Sequence, residues 1–213
     1  VRSHRDLLHL RLTELLRRIY PEIDAEALAG RVIDAFWPEG RTCRKRPRVP
    51  SNRLWSEQDA VLITYGDSII DGRHKPLDLL QDFLTRHLRG VVNGVHVLPF
   101  FPFSSDDGFA VTDYRAVNPR LGEWSDIGRI AAQFHLMSDL VLNHVSSQGA
   151  WFHDYLQGNA PYDRFFREGD PAEDLSQVVR PRTTPLLQRV ETRNGMRHVW
   201  CTFSHDQVDL DFS

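Results

Sequence analysis

The sequence predicts an α/β fold built on a parallel sheet, and three observations carry that reading. Short apolar, β-branched runs recur through the middle of the chain; segments of helical periodicity separate them; polar residues gather where each run ends. Strands that alternate with helices form βαβ units, whose parallel sheet is covered on both faces and therefore reads as near-continuous apolar runs.

A helical pair comes first. In "LLHLRLTELLRRIY" Leu8, Leu12, Leu15, Leu16 and Ile19 fall at helical spacing, and in "DAEALAGRVIDAF" Leu28, Val32 and Phe36 recur every fourth residue behind Asp24, placed as an N-cap. Pro38, Gly40, Pro47 and Pro50 then break the pattern. They lie in and beside a basic stretch, Arg41 to Arg53, which reads as a solvated linker, with an anionic ligand or partner as the sharper alternative. The α/β pattern starts at "VLITY", Val61 to Tyr65. A helix is predicted over Leu77–Leu88, a second strand over Gly94–Phe100, a helix over Asp126–Phe134, and a third strand in "LMSDLVLNH", Leu136 to His144. The first strand ends in Tyr65-Gly66-Asp67, the second runs into "FFPFSSDDGF", and the third ends in Asn143-His144. In a (β/α)8 TIM barrel that end of the sheet is where side chains leave the core and meet ligand. Polar ends in phase on three strands point to the first units of such a barrel.

From Val145 to about Cys201 the texture changes. "GAWFHDYLQGNAPYDRFF" and "RPRTTPLL" are rich in aromatic residues, Pro, Asp and Arg and keep no sustained period, which predicts a small irregular domain inserted after the third strand. "HVWCTFSHDQVDLDF" then returns toward strand-like alternation. The expected organisation is a helical extension and linker over 1–58, three barrel units over 59–144, the inserted domain over 145–206, and the start of a return to the barrel over 207–213. Because the chain lacks an initiating Met and stops on the alternating stretch "VDLDFS", we expect a fragment cut at both ends.

Composition removes several classes of function. A net charge of -3 leaves no basic footprint for nucleic acid. No apolar run approaches the roughly 20 residues that span a bilayer, and no charged segment followed by an apolar one opens the chain as a signal peptide would, so a cytoplasmic location is the default. Cys43 and Cys201 are far apart without CxxC spacing and read as free thiols.

The motifs now carry a resemblance. "DLVLNH" is similar to the signature at the third strand of the α-amylase family of glycoside hydrolases (glycoside hydrolase family 13), and "QVDLDF" to a short signature near the end of that family's domain B. "ITYGDSI", "GVHVLPFFPFSSDDGF", "RPRTTPL" and "FSHDQVDL" look like the sucrose phosphorylase branch. The helical extension and "SSDDGFAVTDYRAVNPRLGEW" most resemble the glucosylglycerate phosphorylases within it.

The resemblance implies a glycosyltransferase-type phosphorylase: retaining transfer of an α-glucosyl unit through a covalent intermediate, with inorganic phosphate as co-substrate and no cofactor or metal. It implies that the catalytic carboxylates, a nucleophilic Asp, an acid/base Glu and a stabilising Asp, follow later barrel strands downstream of Ser213, so that none lies in this chain and the fragment alone is inactive. His144 matches a histidine that hydrogen-bonds the glucosyl ring; an imidazole can donate to or accept from a hydroxyl near neutral pH. Its plainer role is to satisfy a strand-end carbonyl. Asp106 matches a carboxylate aimed at distal glucose hydroxyls, with Asp107 as its confounder and a turn before Gly108 as the plainer role of both. Phe109 matches an aromatic platform beneath the sugar. Phe203 and Gln207 match residues lining the same site, where an amide both donates and accepts. Arg182 matches a domain B arginine facing acceptor and phosphate, with Arg180 and Arg197 as secondary candidates. Asp139 is expected as a buried organiser, and Asn143 to hold the loop or touch ligand.

Other readings stay open. The acceptor (glycerate, fructose, fructose 6-phosphate or glycerol) is set by a subsite that the motifs do not decide. A hydrolase or transglucosidase of the same family, or a non-catalytic carbohydrate-binding fragment, fits the same residues. A metal-dependent hydrolase wants a His-x-His type cluster at one strand end, which "NH" alone does not supply.

Overall fold

A computed structural model describes residues 3–36, 55–180 and 182–213. The expected basic linker, with Cys43, Pro38, Gly40, Pro47 and Pro50, lies outside the described residues. The chain divides into two compact units, one within Val1–Leu54 and one over Trp55–Phe212.

The first unit is the helical pair. Helix α1 spans His4–Ile19 and opens with a capping box, in which the Ser3 hydroxyl accepts from the Asp6 amide while the Asp6 carboxylate accepts from the Ser3 amide. Helix α2 spans Ala25–Phe36, and Asp24 Oδ1 accepts from the amides of Glu26 and Ala27, the cap its position predicts. The buried line of α2 differs from expectation. It is Ala25, Ala29 and Ile33, whereas Phe36 is 85% exposed. Both lines have the same spacing, one residue apart, and small alanines let α1 approach where bulkier side chains would hold it off.

In the second unit, β1 (Val61–Thr64), β2 (Gly94–Val97) and β3 (His135–Ser138) form a three-stranded parallel sheet in that order, with Val61 opposite Gly94 and Gly94 opposite His135. A Cβ on Gly94 would stand 2.9 Å from Val61 Cγ2, so this crossing needs glycine. Helix α3 (Pro76–Phe83) starts with Pro at its first turn, where no amide partner is lost, and continues as a π-helical turn over Leu84–Leu88. Helix α4 (Trp124–Gln133) carries a Glu123/Asp126 capping box. Leu77, Leu80, Leu84, Ile127 and Ile130 from these helices pack on Val95 and Val97 of the central strand. Only that strand is covered on both faces; β1 and β3 are sheet edges, and Ile63 and Met137 are exposed.

Two further expectations need correction. The third sheet strand does not reach Asn143-His144: it ends at Ser138, and His144 opens a separate strand, β4 (His144–Ser146). That strand pairs antiparallel with β7 (Gln207–Asp209), His144 opposite Asp209 and Ser146 opposite Gln207, so a long-range partner claims the end of the apolar run. The segment after Val145 also holds more regular structure than its texture suggests. It contains helix α5 (Ala150–Leu156) and a hairpin of β5 (Leu187–Thr192) with β6 (Gly195–Trp200). Among the described residues, no helix is long and apolar enough to cross a membrane.

Candidate functional site

Beyond β2 the chain passes Phe100 and Phe101 into the core and then turns through Ser104–Gly108. Asp106 (φ 57°), Asp107 (φ 51°) and Gly108 (φ 105°) all adopt left-handed backbone. A Cβ on Gly108 would lie 2.7 Å from the Pro99 carbonyl oxygen, so glycine is obligatory, while Asp tolerates this region at some cost. The plainer role, shaping a turn, is therefore filled, and the same turn delivers the Asp106 side chain to a polar cluster.

That cluster is built on the β4–β7 pair. Gln207 Nε2 donates to Asp106 Oδ2 at 2.9 Å and lies 3.1 Å from His144 Nε2, which is itself 3.2 Å from the Phe109 carbonyl oxygen. One imidazole nitrogen cannot donate to a carbonyl and accept from an amide at once. Either Nε2–H bonds Phe109 or bare Nε2 accepts from Gln207, and Nδ1 takes the opposite role. His144 is 5% and Gln207 1% exposed, yet His144 Nδ1 and Gln207 Oε1 are buried without a hydrogen-bond partner among the described residues. Such atoms carry a desolvation cost that a ligand hydroxyl would relieve. Burial holds the His144 pKa below its ordinary value, partly offset by the Phe109 carbonyl and the charges of Asp209 and Asp106, so the ring is neutral at pH 7.

The Phe203 ring lies 4.6 Å from the imidazole, centroid to centroid, and closes one side of the cluster. Phe109 joins through its carbonyl, with its side chain half-buried. Arg182 Nη2 reaches Asp106 Oδ1 at 3.6 Å, a largely solvated ion pair of small energetic weight that nonetheless puts a cation at the carboxylate. Six predicted residues thus meet at one place. Asp139 does not join them: half-buried and not buried as expected, it pairs with His96 of β2 at 2.9 Å. The Asn143 backbone carbonyl accepts from the Leu210 amide, and the residue lines a cavity of about 320 Å³ with Phe203, Arg167 and Asp209. Of the secondary arginines, Arg197 pairs with Glu168 at 3.4 Å, while Arg180 Nη1 is buried and unpartnered among the described residues.

Sequence reasoning missed Asp206. This 5%-exposed carboxylate accepts from the hydroxyls of Ser104, Ser105, Ser146 and Ser147. Burial pushes its pKa up, but the four serines outweigh that and hold it below the usual range. The available signal was two Ser-Ser doublets, each within two residues of a candidate, and an acid adjoining Gln207.

These features define an α/β protein whose polar cluster sits past the carboxyl end of a parallel sheet, the place where barrel enzymes bind ligand. The family model for the alpha amylase catalytic domain matches residues 86–205, more than half the chain, and the chain belongs to that family. It is 47% identical over 207 residues to a glucosylglycerate phosphorylase of Spirochaeta thermophila, covering 95% of this chain and 35% of that protein. A glucosylglycerate phosphorylase of Allomeiothermus silvanus is 54% identical over 159 residues, covering 75% and 29%. Among solved structures, the sucrose 6F-phosphate phosphorylase of Thermoanaerobacter thermosaccharolyticum matches at TM-score 0.67 and 31% identity over 75% of this chain and 35% of that one. The chain spans about a third of the length of these relatives.

Proposed function

We propose that this chain forms the opening part of a retaining α-glucosyl phosphorylase, in which an α-glucoside and inorganic phosphate give glucose 1-phosphate and a free acceptor. The observation that carries the reading is the Asp106–Gln207–His144 cluster, with two buried atoms that have no partner among the described residues, in a chain of this family. Its supply of a carboxylate, an amide oxygen and an imidazole nitrogen suits adjacent hydroxyls of one sugar ring. In this reading residues 59–144 start a (β/α)8 barrel, 145–206 are a domain inserted after its third strand, and 1–58 are a helical extension.

The chemistry divides between this part and the rest of the barrel. A carboxylate nucleophile and an acid about 5–5.5 Å apart exchange the acceptor for a covalent glucosyl bond, with the acceptor oxygen leaving protonated. A phosphate oxygen then takes the anomeric carbon. Both carboxyl groups belong to later strands. What this chain supplies is the grip on the ring: Asp106, His144 and Gln207 bond its hydroxyls, Phe203 and Phe109 border it, and Arg182 offsets the charge of incoming phosphate, which would otherwise meet only carboxylates. Glycerate is the acceptor we favour, on the likeness to relatives named for glucosylglycerate.

Variants of the intact enzyme test this division. Asp106→Ala and His144→Ala should each lower kcat/KM for the α-glucoside by about 3–4 kcal/mol. Arg182→Ala should raise KM for phosphate, at about 2–3 kcal/mol in kcat/KM, far more than it slows release of free glucose to water. Equal loss of both products in Arg182→Ala would remove its phosphate role, and unchanged kinetics in the first two would remove the sugar site.

A further inference from the structure

Three separate segments converge on Asp206, and each carries one polar residue of the cluster. Ser105 immediately precedes Asp106; Asp206 immediately precedes Gln207; Ser146 stands two residues after His144 on β4. Ser104 and Ser105 reach Asp206 Oδ2 from the turn after β2, at 2.5 and 2.6 Å, while Ser147 and Ser146 reach Oδ1 at 2.7 and 3.3 Å. Ser146, whose contact is the longest of the four, also lies 2.6 Å from the Ser104 hydroxyl, so its single proton serves either Ser104 or Asp206; the Ser147 amide donates to the Asp206 carbonyl at 2.8 Å. Among the described residues no lysine, arginine or histidine pairs with Asp206.

A buried anion without a counter-cation is costly, and here hydroxyl dipoles alone compensate it. Only an ionised carboxylate accepts on every side. An asparagine would turn N–H donors toward one pair of serines and lose the bonds those hydroxyls donate. The left-handed run at Asp106 and Asp107 has its own backbone cost, so something must hold it against relaxing, and the Ser104 and Ser105 bonds act on the two residues just before it.

We propose that Asp206 is a positioning residue: through its four serines it holds the Asp106 turn, β4 and β7 in the one register that brings Asp106, His144 and Gln207 together. The proposal rests on reading those three as the sugar-binding residues. Asp206 itself touches no substrate.

The test is a double-mutant cycle in the intact enzyme, with thermal unfolding recorded for every variant. Asp206→Asn should lower kcat/KM for the α-glucoside about 30- to 100-fold while still unfolding cooperatively, and in an Asp106→Ala background the same substitution should cost about 10-fold or less, the remainder acting through His144 and Gln207. Ser105→Ala, which removes one donor and keeps the anion, should fall between Asp206→Asn and the parent. Parent-like kcat/KM in Asp206→Asn, or a loss undiminished in the Asp106→Ala background, overturns the proposal. If Asp206→Asn does not fold, Ser105→Ala and Ser147→Ala decide it: reduced kcat/KM with an unshifted melting temperature supports positioning, and parent-like kinetics in both overturns it. A parent-like Asp106→Ala instead defeats the sugar-site reading itself, which separates the two failures.

Discussion

Two hydrophobic clusters share the Trp55–Phe212 unit, one mainly aliphatic and one richer in aromatic rings. The first packs α3 and α4 on the central strand through Leu77, Leu80, Leu84, Ile127, Ile130, Val95 and Val97. The second gathers Phe152, Tyr155 and Phe166 with Val145, Val199, Cys201 and Val208. In the first, regular helices present aliphatic faces to the strand, and ring pairs such as Phe100–Phe101 at 4.8 Å lie where the chain leaves β2. In the second the elements are short, and ring geometry does the joining: Phe152 meets Phe166 edge-on at 5.0 Å and 79°, while the Tyr155 hydroxyl donates to Glu168 at 2.8 Å. Tyr114 packs against both and donates to the Val141 carbonyl at 2.7 Å; burial pushes its pKa up to about 12. The candidate site lies where the two meet, with Asp106 on the turn after β2 and His144 and Gln207 on strands whose neighbours Val145 and Val208 belong to the second cluster. A site assembled this way depends on both clusters keeping register.

The comparison breaks most sharply under large core deletions. Phe152→Ala should cost about 3–5 kcal/mol and Leu80→Ala about 2–5 kcal/mol, with near- and far-ultraviolet circular dichroism melting together in both variants. Separate transitions would mean that the clusters are independent and that the site is not held between them. A finer probe is Tyr114→Phe, which keeps the ring and drops one hydrogen bond. We expect a loss of about 1 kcal/mol in denaturant titration.

The smallest effect is a pH dependence at the seam. Because the folded pKa of His144 lies below its unfolded value, near 6.5, the neutral ring contributes stability that is intact above about pH 6.5 and is lost as pH falls through the folded value. Asp206 behaves likewise further down, its contribution intact above about pH 3.9 and lost as pH falls through its own lowered value. His144→Gln should flatten the upper window in a plot of melting temperature against pH and leave the lower one. A curve unchanged in the upper window would contradict a neutral, buried His144.

This contrast also explains what was legible in the sequence. Leu77, Leu80 and Leu84 announce a helix by spacing, and "GVHVLPF" announces a strand covered on both faces, because one local period matches one buried face. The β5–β6 hairpin escaped, His198–Trp200 apart, since Gln188 and Arg189 stand side by side in β5 and β6 grades from exposed to buried, so neither strand keeps a strict two-residue period; the end of β3 was misjudged because β7, more than sixty residues on, takes His144 into its own ladder. The α2 stripe shifted by one residue because spacing cannot choose between two parallel lines. At the site, Asp106, Phe109, His144, Arg182, Phe203 and Gln207 were legible through motifs and do converge. Asp206 lies inside the "FSHDQVDL" motif but drew no role from it: its part shows only when 104–105, 146–147 and 206 are brought together.

The central claim is that the Asp106–Gln207–His144 cluster holds a glucosyl unit during retaining phosphorolysis. The most direct test incubates the intact enzyme with 2-O-α-glucosyl glycerate and phosphate and follows the anomeric proton of the first sugar product by NMR. The account predicts phosphate-dependent formation of α-glucose 1-phosphate, slowed on the order of several hundred-fold in Asp106→Ala. Release of free glucose at a rate indifferent to phosphate, or a β-configured sugar phosphate, would contradict it.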